Sequence, residues 1–262
     1  MMSALTPFVA TLSAYDLGGA VHRGLPSSTV SITIPEDAID VAWLGRPGSR
    51  RRFRAVVAGL HMDAAELTQT ESPRGVWLTL HPLGASALLG VPAAALAGHV
   101  ADLADVSPAL AALPERLAAR RTWPERRAVV EEALAAALAR HGDGAGRLRP
   151  MLDGLAGAAR VQDAAERLGC SRRHLGAAVR AELGVTPKEY QRLLRFEAAR
   201  RGLAAGGADL ARVAAEAGFA DQAHFTREWR AMSGCTPAAW LRAEGRSRTF
   251  KTPPPPEATI GP

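Results

Sequence analysis

Cysteine is almost missing from this chain of 262 residues: Cys170 and Cys235 are the only two. That excludes a disulfide scaffold and a four-ligand zinc site built on thiolates. Long apolar runs are missing as well. Charge or proline breaks every stretch short of the roughly 18 residues of a membrane helix, so no spanning segment and no membrane partner are expected. The opening residues, MMSALTPFVATLSAYD, place no basic region ahead of an apolar one. A secretory leader is therefore not expected, and the location is read as cytoplasmic, with nucleoid association following from the reading below. Lysine is scarce too, since Lys188 and Lys251 are the only exceptions among 32 cations. Arginine suits bidentate contacts to phosphate and guanine, and a biased genomic base composition gives the same excess. What is abundant is ordinary: 47% apolar and 22% charged residues rule out global disorder.

The net charge of +6 is unevenly placed. Residues 1–144 carry 13 Lys and Arg against 14 Asp and Glu, whereas residues 145–251 carry 19 against 11. A near-neutral half joined to a half with a charge of +8 implies that the second meets a polyanion and the first does not.

The two halves also differ in period. Short runs rich in β-branched and aromatic residues at 8–12, 29–34, 40–44, 53–60 and 76–81 read as strands, separated by Gly, Pro, Asp and Ser. Beyond Leu83 the spacing becomes helical. Residues 92–97 read as a short helix, Ser107 as the cap of a helix running to Ala119, and 124–140 as a longer amphipathic one. In the last of these Val130, Leu134 and Leu138 form an apolar stripe. The stripe serves either docking on the chain's own β half or self-association as a homodimer. HGDGAG at 141–146 is a linker by composition, and the proline-rich residues 246–262 cannot build a core.

The second half contains a tandem duplication. Ala165 aligns with Ala214 and Gly169 with Gly218, 49 residues apart; after one inserted residue, His174 aligns with His224, Val179 with Trp229 and Arg180 with Arg230. The segment Gly184-Val-Thr-Pro-Lys-Glu-Tyr190 then matches Gly234-Cys-Thr-Pro-Ala-Ala-Trp240. Each copy reads as helix, glycine turn and capped second helix, with Ser171 and Asp221 as the caps. The second helices bury Leu175, Val179 and Leu183 in one copy, Phe225 and Trp229 in the other. They present Arg172, Arg173 and Arg180, and Gln222, Thr226, Arg227 and Arg230, outward. Ala-x-x-x-Gly followed by a capped helix is helix-turn-helix spacing.

At these residues the chain resembles a known family. The run AEAGFADQAHFTREWRAMSGCTPAAWLR looks like the signature of the AraC/XylS transcription regulators, and residues 147–245 are similar to that family's DNA-binding domain. The resemblance implies an all-α tandem helix-turn-helix domain of seven helices. A linker helix over 187–203, about 25 Å long, would join two recognition helices that read successive major grooves about 34 Å apart. Carried over, the base-reading face falls on Arg173, Gly176 and Ala177 in the first helix and on Gln222, Ala223, His224 and Arg227 in the second. Gly176 and Ala177 are too small to reach base edges. The base-contact candidates are therefore Arg173, Gln222, His224 and Arg227, with Arg172, Arg180, Thr226 and Arg230 as phosphate contacts.

The first half resembles the N-terminal domain of one AraC-type subgroup through His22-Arg-Gly-Leu-Pro-Ser27 and the segment PLGASALLGVP at 82–92. This implies a cupin-like, β-rich sensor over residues 1–140. The chain is thus expected to be a two-domain α+β transcription factor, with activator or repressor left open by the sequence. Its expected partners are double-stranded promoter DNA, RNA polymerase and a small-molecule effector of unknown identity. The effector's contact residues and any cofactor site are not legible. The histidines His22, His61, His81, His99 and His141 lack H-x-H spacing, so no metal is expected. No catalytic residue is expected either: a DNA-repair alkyltransferase fusion needs an activated cysteine nucleophile, and residues 1–144 hold no cysteine. A nonspecific architectural DNA binder is the other competing class, and it has no need of the near-neutral half.

Overall fold

The computed structural model describes residues 2–16, 21–69, 71–142, 146, 148–206 and 209–244. Half of the composition-defined linker (143–145) and the proline-rich segment 246–262 lie outside the described residues. A short helix, α1 (Met2–Leu5), precedes nine strands: β1 (Val9–Asp16), β2 (Val21–Gly24), β3 (Val30–Pro35), β4 (Ile39–Trp43), β5 (Arg51–Phe53), β6 (Val56–Ala58), β7 (Ala65–Thr68), β8 (Arg74–Leu80) and β9 (Val100–Asp102). They form two antiparallel sheets, ordered β1-β8-β3-β6-β9 and β2-β7-β4-β5. Alternation explains the layering. Val30, Ile32 and Ile34 of β3 and Val76, Leu78 and Leu80 of β8 are buried in one core with the helices. Ser31, Thr33, Trp77 and Thr79 point to the opposite face.

Two strand expectations change. The run 53–60 is split between β5 and β6, because β5 pairs with β4 in one sheet and β6 with β3 in the other. The chain changes sheets at Arg54 and Ala55. Strands β2, β7 and β9, of four, four and three residues, are too short for an alternation pattern to declare itself.

Helices α2 (Leu103–Val106), α3 (Leu113–Ala118) and α4 (Trp123–His141) follow, with a π-helical turn at Ala85–Leu89 and 3-10 turns at Ala93–Ala95 and Pro108–Leu110. The single helix expected from Ser107 to Ala119 is thus broken, and the Ser107 side chain makes no capping bond. Pro114 is the reason. Inside a continuous helix its ring would strike the carbonyl four residues back, so the helix restarts with Pro114 in its first turn. Helix α4 is closed at its start by a reciprocal Thr122–Glu125 capping box. It buries Val129, Val130, Ala133, Leu134 and Ala137 against α3, the π-helical turn and β1. Its apolar stripe is therefore used within the chain.

Seven helices complete the described chain: α5 (Arg149–Ala156), α6 (Val161–Arg167), α7 (Arg172–Leu183), α8 (Pro187–Ala204), α9 (Leu210–Glu216), α10 (Gln222–Ser233) and α11 (Pro237–Glu244). The repeated G-x-T-P-x-x-aromatic segment is a corner with a role for each position. Gly184 and Gly234 both take φ of +73 and end α7 and α10 in the left-handed conformation. Thr186 and Thr236 accept the amides of Glu189 and Ala239 at 3.2 Å, capping the next helix. Proline fills the first helical position, and Tyr190 and Trp240 are buried. In the second repeat the core is aromatic: Trp229 stacks on Phe196 at 4.6 Å and meets Phe225 and Trp240 edge-on at 5.8 and 5.3 Å. Among the described residues no helix is long and apolar enough to cross a membrane.

Trp229→Ala should therefore cost about 3–5 kcal/mol, and Val179→Ala, its counterpart in the first repeat, about 2 kcal/mol. Denaturant unfolding of the full chain measures both. Equal costs would show that the two repeats do not differ in core packing as described.

Candidate nucleic-acid interface and interdomain cavity

The two helices expected to read DNA begin alike. Gly169 (φ +63) and Gly218 (φ +79) make the turns. Ser171 Oγ then accepts from His174 N at 3.1 Å, and Asp221 Oδ1 from His224 N at 2.6 Å. Beyond these caps Arg172, Arg173 and Arg180 of α7 and Gln222, Arg227 and Arg230 of α10 are exposed. Two candidates are placed differently. His224 is half-buried, its ring edge-on to Phe219 at 5.5 Å and its Nδ1 accepting from Ala220 N at 3.4 Å. Thr226 donates its hydroxyl to Gln222 O at 2.8 Å. Thr226 thus turns its hydroxyl back onto its own helix, and His224 turns its Nδ1 onto the turn that precedes it. On α7, a side chain added at Gly176 would meet no atom within 4 Å, so this helix presents a flat, open face between its arginines.

A second site was not visible in the sequence. The inner faces of the two sheets enclose a cavity of about 560 Å³, walled on one side by α8 and Trp240 of α11. The hollow follows from residue choice: Ser31, Thr33, Ala58 and Thr79 stand where larger apolar side chains would fill the space, while Ile39, Val41, Trp43, Leu67 and Trp77 keep it apolar. The polar groups inside are held by the protein. Tyr15 donates to Gln69 Oε1 at 3.0 Å, and Gln69 Nε2 donates to Ser72 O at 2.9 Å. Burial raises the Tyr15 phenol well above its ordinary value. Burial also pushes His22 down to about 4, and it lowers His61 and, aided by Arg149, His81. The neutral His61 ring stands edge-on to Trp43 at 5.1 Å, and its Nδ1–H donates to Asp63 O at 2.7 Å.

Fixed charge enters the cavity wall from Arg23 of β2 and from α8, through Glu197, Arg200 and Arg201. The Glu197 carboxylate is engaged by the first half: Ser27 Oγ, Ser28 N and Ser28 Oγ donate to it at 3.2, 2.9 and 2.7 Å. Among the described residues no carboxylate forms an ion pair with Arg200 or Arg201. Nor do three His, Cys, Asp or Glu side chains come together there as metal ligands. The α8 residues were missed because helical periodicity gives only their face, and the face they meet belongs to the other half of the chain.

The depressed His22 value has a thermodynamic consequence. Between the ordinary pKa of 6.5 and about 4, the unfolded chain takes up a proton that the folded chain refuses. Stability should fall as pH drops through that window, by up to about 3 kcal/mol from this site. His22→Gln should flatten the profile, as measured by denaturant unfolding at a series of pH values. A slope unchanged by the substitution would count against a buried neutral imidazole.

The comparisons with known proteins agree with this geometry. Residues 164–243 match the family described as a helix-turn-helix domain. No curated protein matches the chain by sequence. Among solved structures, the chain is similar to an apo variant of ToxT from Vibrio cholerae strain SCE256, with a TM-score of 0.54 at 12% identity, covering 90% of this chain and 97% of that one. Wild-type ToxT from the same strain, bound to an unsaturated fatty acid, gives 0.52 at 11% identity, covering 89% and 95%. A transcriptional regulator with an AraC-type DNA-binding domain from Chromobacterium violaceum shares 27% identity over 38% of this chain and 88% of its own, with a TM-score of 0.33. At such identities the ToxT likeness is one of fold. Residues 164–243 are an AraC-type helix-turn-helix domain, carried by a chain with the two-domain fold of ToxT.

Proposed function

We propose that this protein is a sequence-specific transcription regulator whose α7 and α10 enter successive major grooves and whose cavity binds a small-molecule effector. The duplicated helix-turn-helix unit carries the reading. Two recognition helices with equivalent caps expose arginine and glutamine in the half of the chain with a charge of +8. In this reading residues 1–140 are the sensor, 141–146 the linker and 147–245 the DNA-binding domain, acting on the nucleoid in the cytoplasm. RNA polymerase is the partner at the promoter, and no enzymatic step is involved. A homodimer would need a surface other than the α4 stripe, which is already buried.

Arg173, Gln222 and Arg227 are the base readers in this proposal, since arginine fits guanine O6 and N7 and glutamine fits adenine N6 and N7. Arg172, Arg180 and Arg230 grip phosphate. The effector is a molecule with an apolar body and an anionic group. The apolar sheet faces supply the first complement, and Arg200 and Arg201 the second. That two ToxT structures hold an unsaturated fatty acid and a naphthyl-butenoic acid, both carboxylic acids, is consistent with this chemistry.

Sites selected from random DNA by the full chain test the first part. Arg227→Ala should cost about 1–3 kcal/mol on the best site and relax one or two base pairs. Arg180→Ala should weaken all sequences alike and lower the salt slope by about one. Selection of no common sequence would leave a nonspecific binder. For the cavity, oleate should bind the full chain more tightly than oleyl alcohol, and Arg200→Ala with Arg201→Ala should remove the difference in calorimetry. Equal binding of the two probes by the parent would overturn the anionic requirement.

A further inference from the structure

The first half grips the DNA-binding half at the same place in both repeats. At the first corner, the Gly184 turn sits so close to the 3-10 turn Ala93–Ala95 and its successor that an added Cβ would lie 2.5 Å from Ala97 Cβ and 3.0 Å from Ala94 Cα. Ser86 Oγ donates to Glu182 Oε1 at 2.8 Å beside it. At the second corner, an added Cβ on Gly234 would lie 3.4 Å from Leu44 Cδ1, and Arg23 Nη1 donates to Ser233 O at 3.2 Å. The aromatic residues that end the two corners, Tyr190 and Trp240, both line the cavity. The repeats are related by duplication, yet they meet unrelated segments of the first half. The shared feature is that each recognition helix is held by its C-terminal end, leaving its N-terminal half clear.

We propose that the sensor domain is a spacing gauge: by holding both recognition helices at their C-terminal corners it fixes the distance and rotation between them. Ala94, Ala97, Arg23 and Leu44 are then positioning residues that touch no DNA yet decide which half-site spacing is accepted. Helix α8 and the Arg192–Glu228 ion pair at 2.8 Å also tie the units together. A second repeat held only by one helix can still rock about it, and the two corner contacts oppose that motion. A ligand in the cavity touches the corner aromatic of both repeats, so its occupancy reaches both helices at once.

The inference rests on DNA recognition by α7 and α10, and its test separates the two. A site is first selected from random DNA by the full chain. Affinity is then measured on that site with one base pair inserted or removed between its halves, a shift of about 3.4 Å and about 35° of rotation. The parent should lose about tenfold for either change, comparable to one mismatched base pair. Ala97→Trp wedges the first corner and Arg23→Ala releases the second. Each should lose less than about threefold, while Ala97→Trp selects the same bases in each half. Arg23→Ala deletes no core volume and keeps the test open if the wedge prevents folding, which thermal unfolding reports. Variants as sensitive to spacing as the parent would overturn the gauge, as would a parent indifferent to spacing. Failure of the parent to select any sequence would instead overturn the underlying reading, and the inference with it.

Discussion

Both α7 and α10 have to stop, reverse and start their successors within seven residues, and the rest of the structure is arranged around that requirement. Only a residue without a side chain holds the left-handed turn at low cost, and threonine followed by proline starts the next helix at once. The same seven residues then deliver a buried aromatic to the far side of the unit. Because the turn carries no Cβ, another segment can press against it, as Ala97 does at Gly184. One local rule thus supplies a helix end, a helix start and a docking point.

The cavity follows from a different economy. Two facing sheets ordinarily fill the space between them with large apolar side chains, which stabilises a fold by about 25 cal/mol per Å² buried. Here small and hydroxylated residues on β3 and β8 forgo part of that gain. The loss is tolerable because the opposite face of the same strands is buried with the helices in the main core. Neutral imidazoles and internally bonded Tyr15 and Gln69 keep the interior polar without placing charge in it. Charge comes from Arg23 and from α8, the helix that also connects the two helix-turn-helix units.

That arrangement gives α8 three roles along one length. Its start completes the first corner, its middle holds Glu197 against Ser27 and Ser28, and its far side carries Phe196 under Trp229. A change at the cavity wall therefore acts on an element packed into both repeats. Coupling of this kind needs no separate pathway, because the wall and the linker are the same helix.

The duplication, its caps and its glycine turns were legible in the sequence because they are local: a cap or a left-handed turn depends on residues within a few positions of it. The same holds for the exposure of Arg173, Gln222 and Arg227, which lie opposite the buried residues of their own helices. The break at Pro114 was equally local, but a run of good helix formers around it obscured the signal. The sheet change at Arg54 and Ala55, the short strands β2, β7 and β9, and the cavity depend on partners far away in the chain. Glu197 is separated from Ser28 by 169 residues and Arg23 from Ser233 by 210. Helical period places Glu197 on a face of α8 without saying what covers that face. Local chemistry determined the helix-turn-helix units; only the packing of one half on the other decided what holds them and what space lies between.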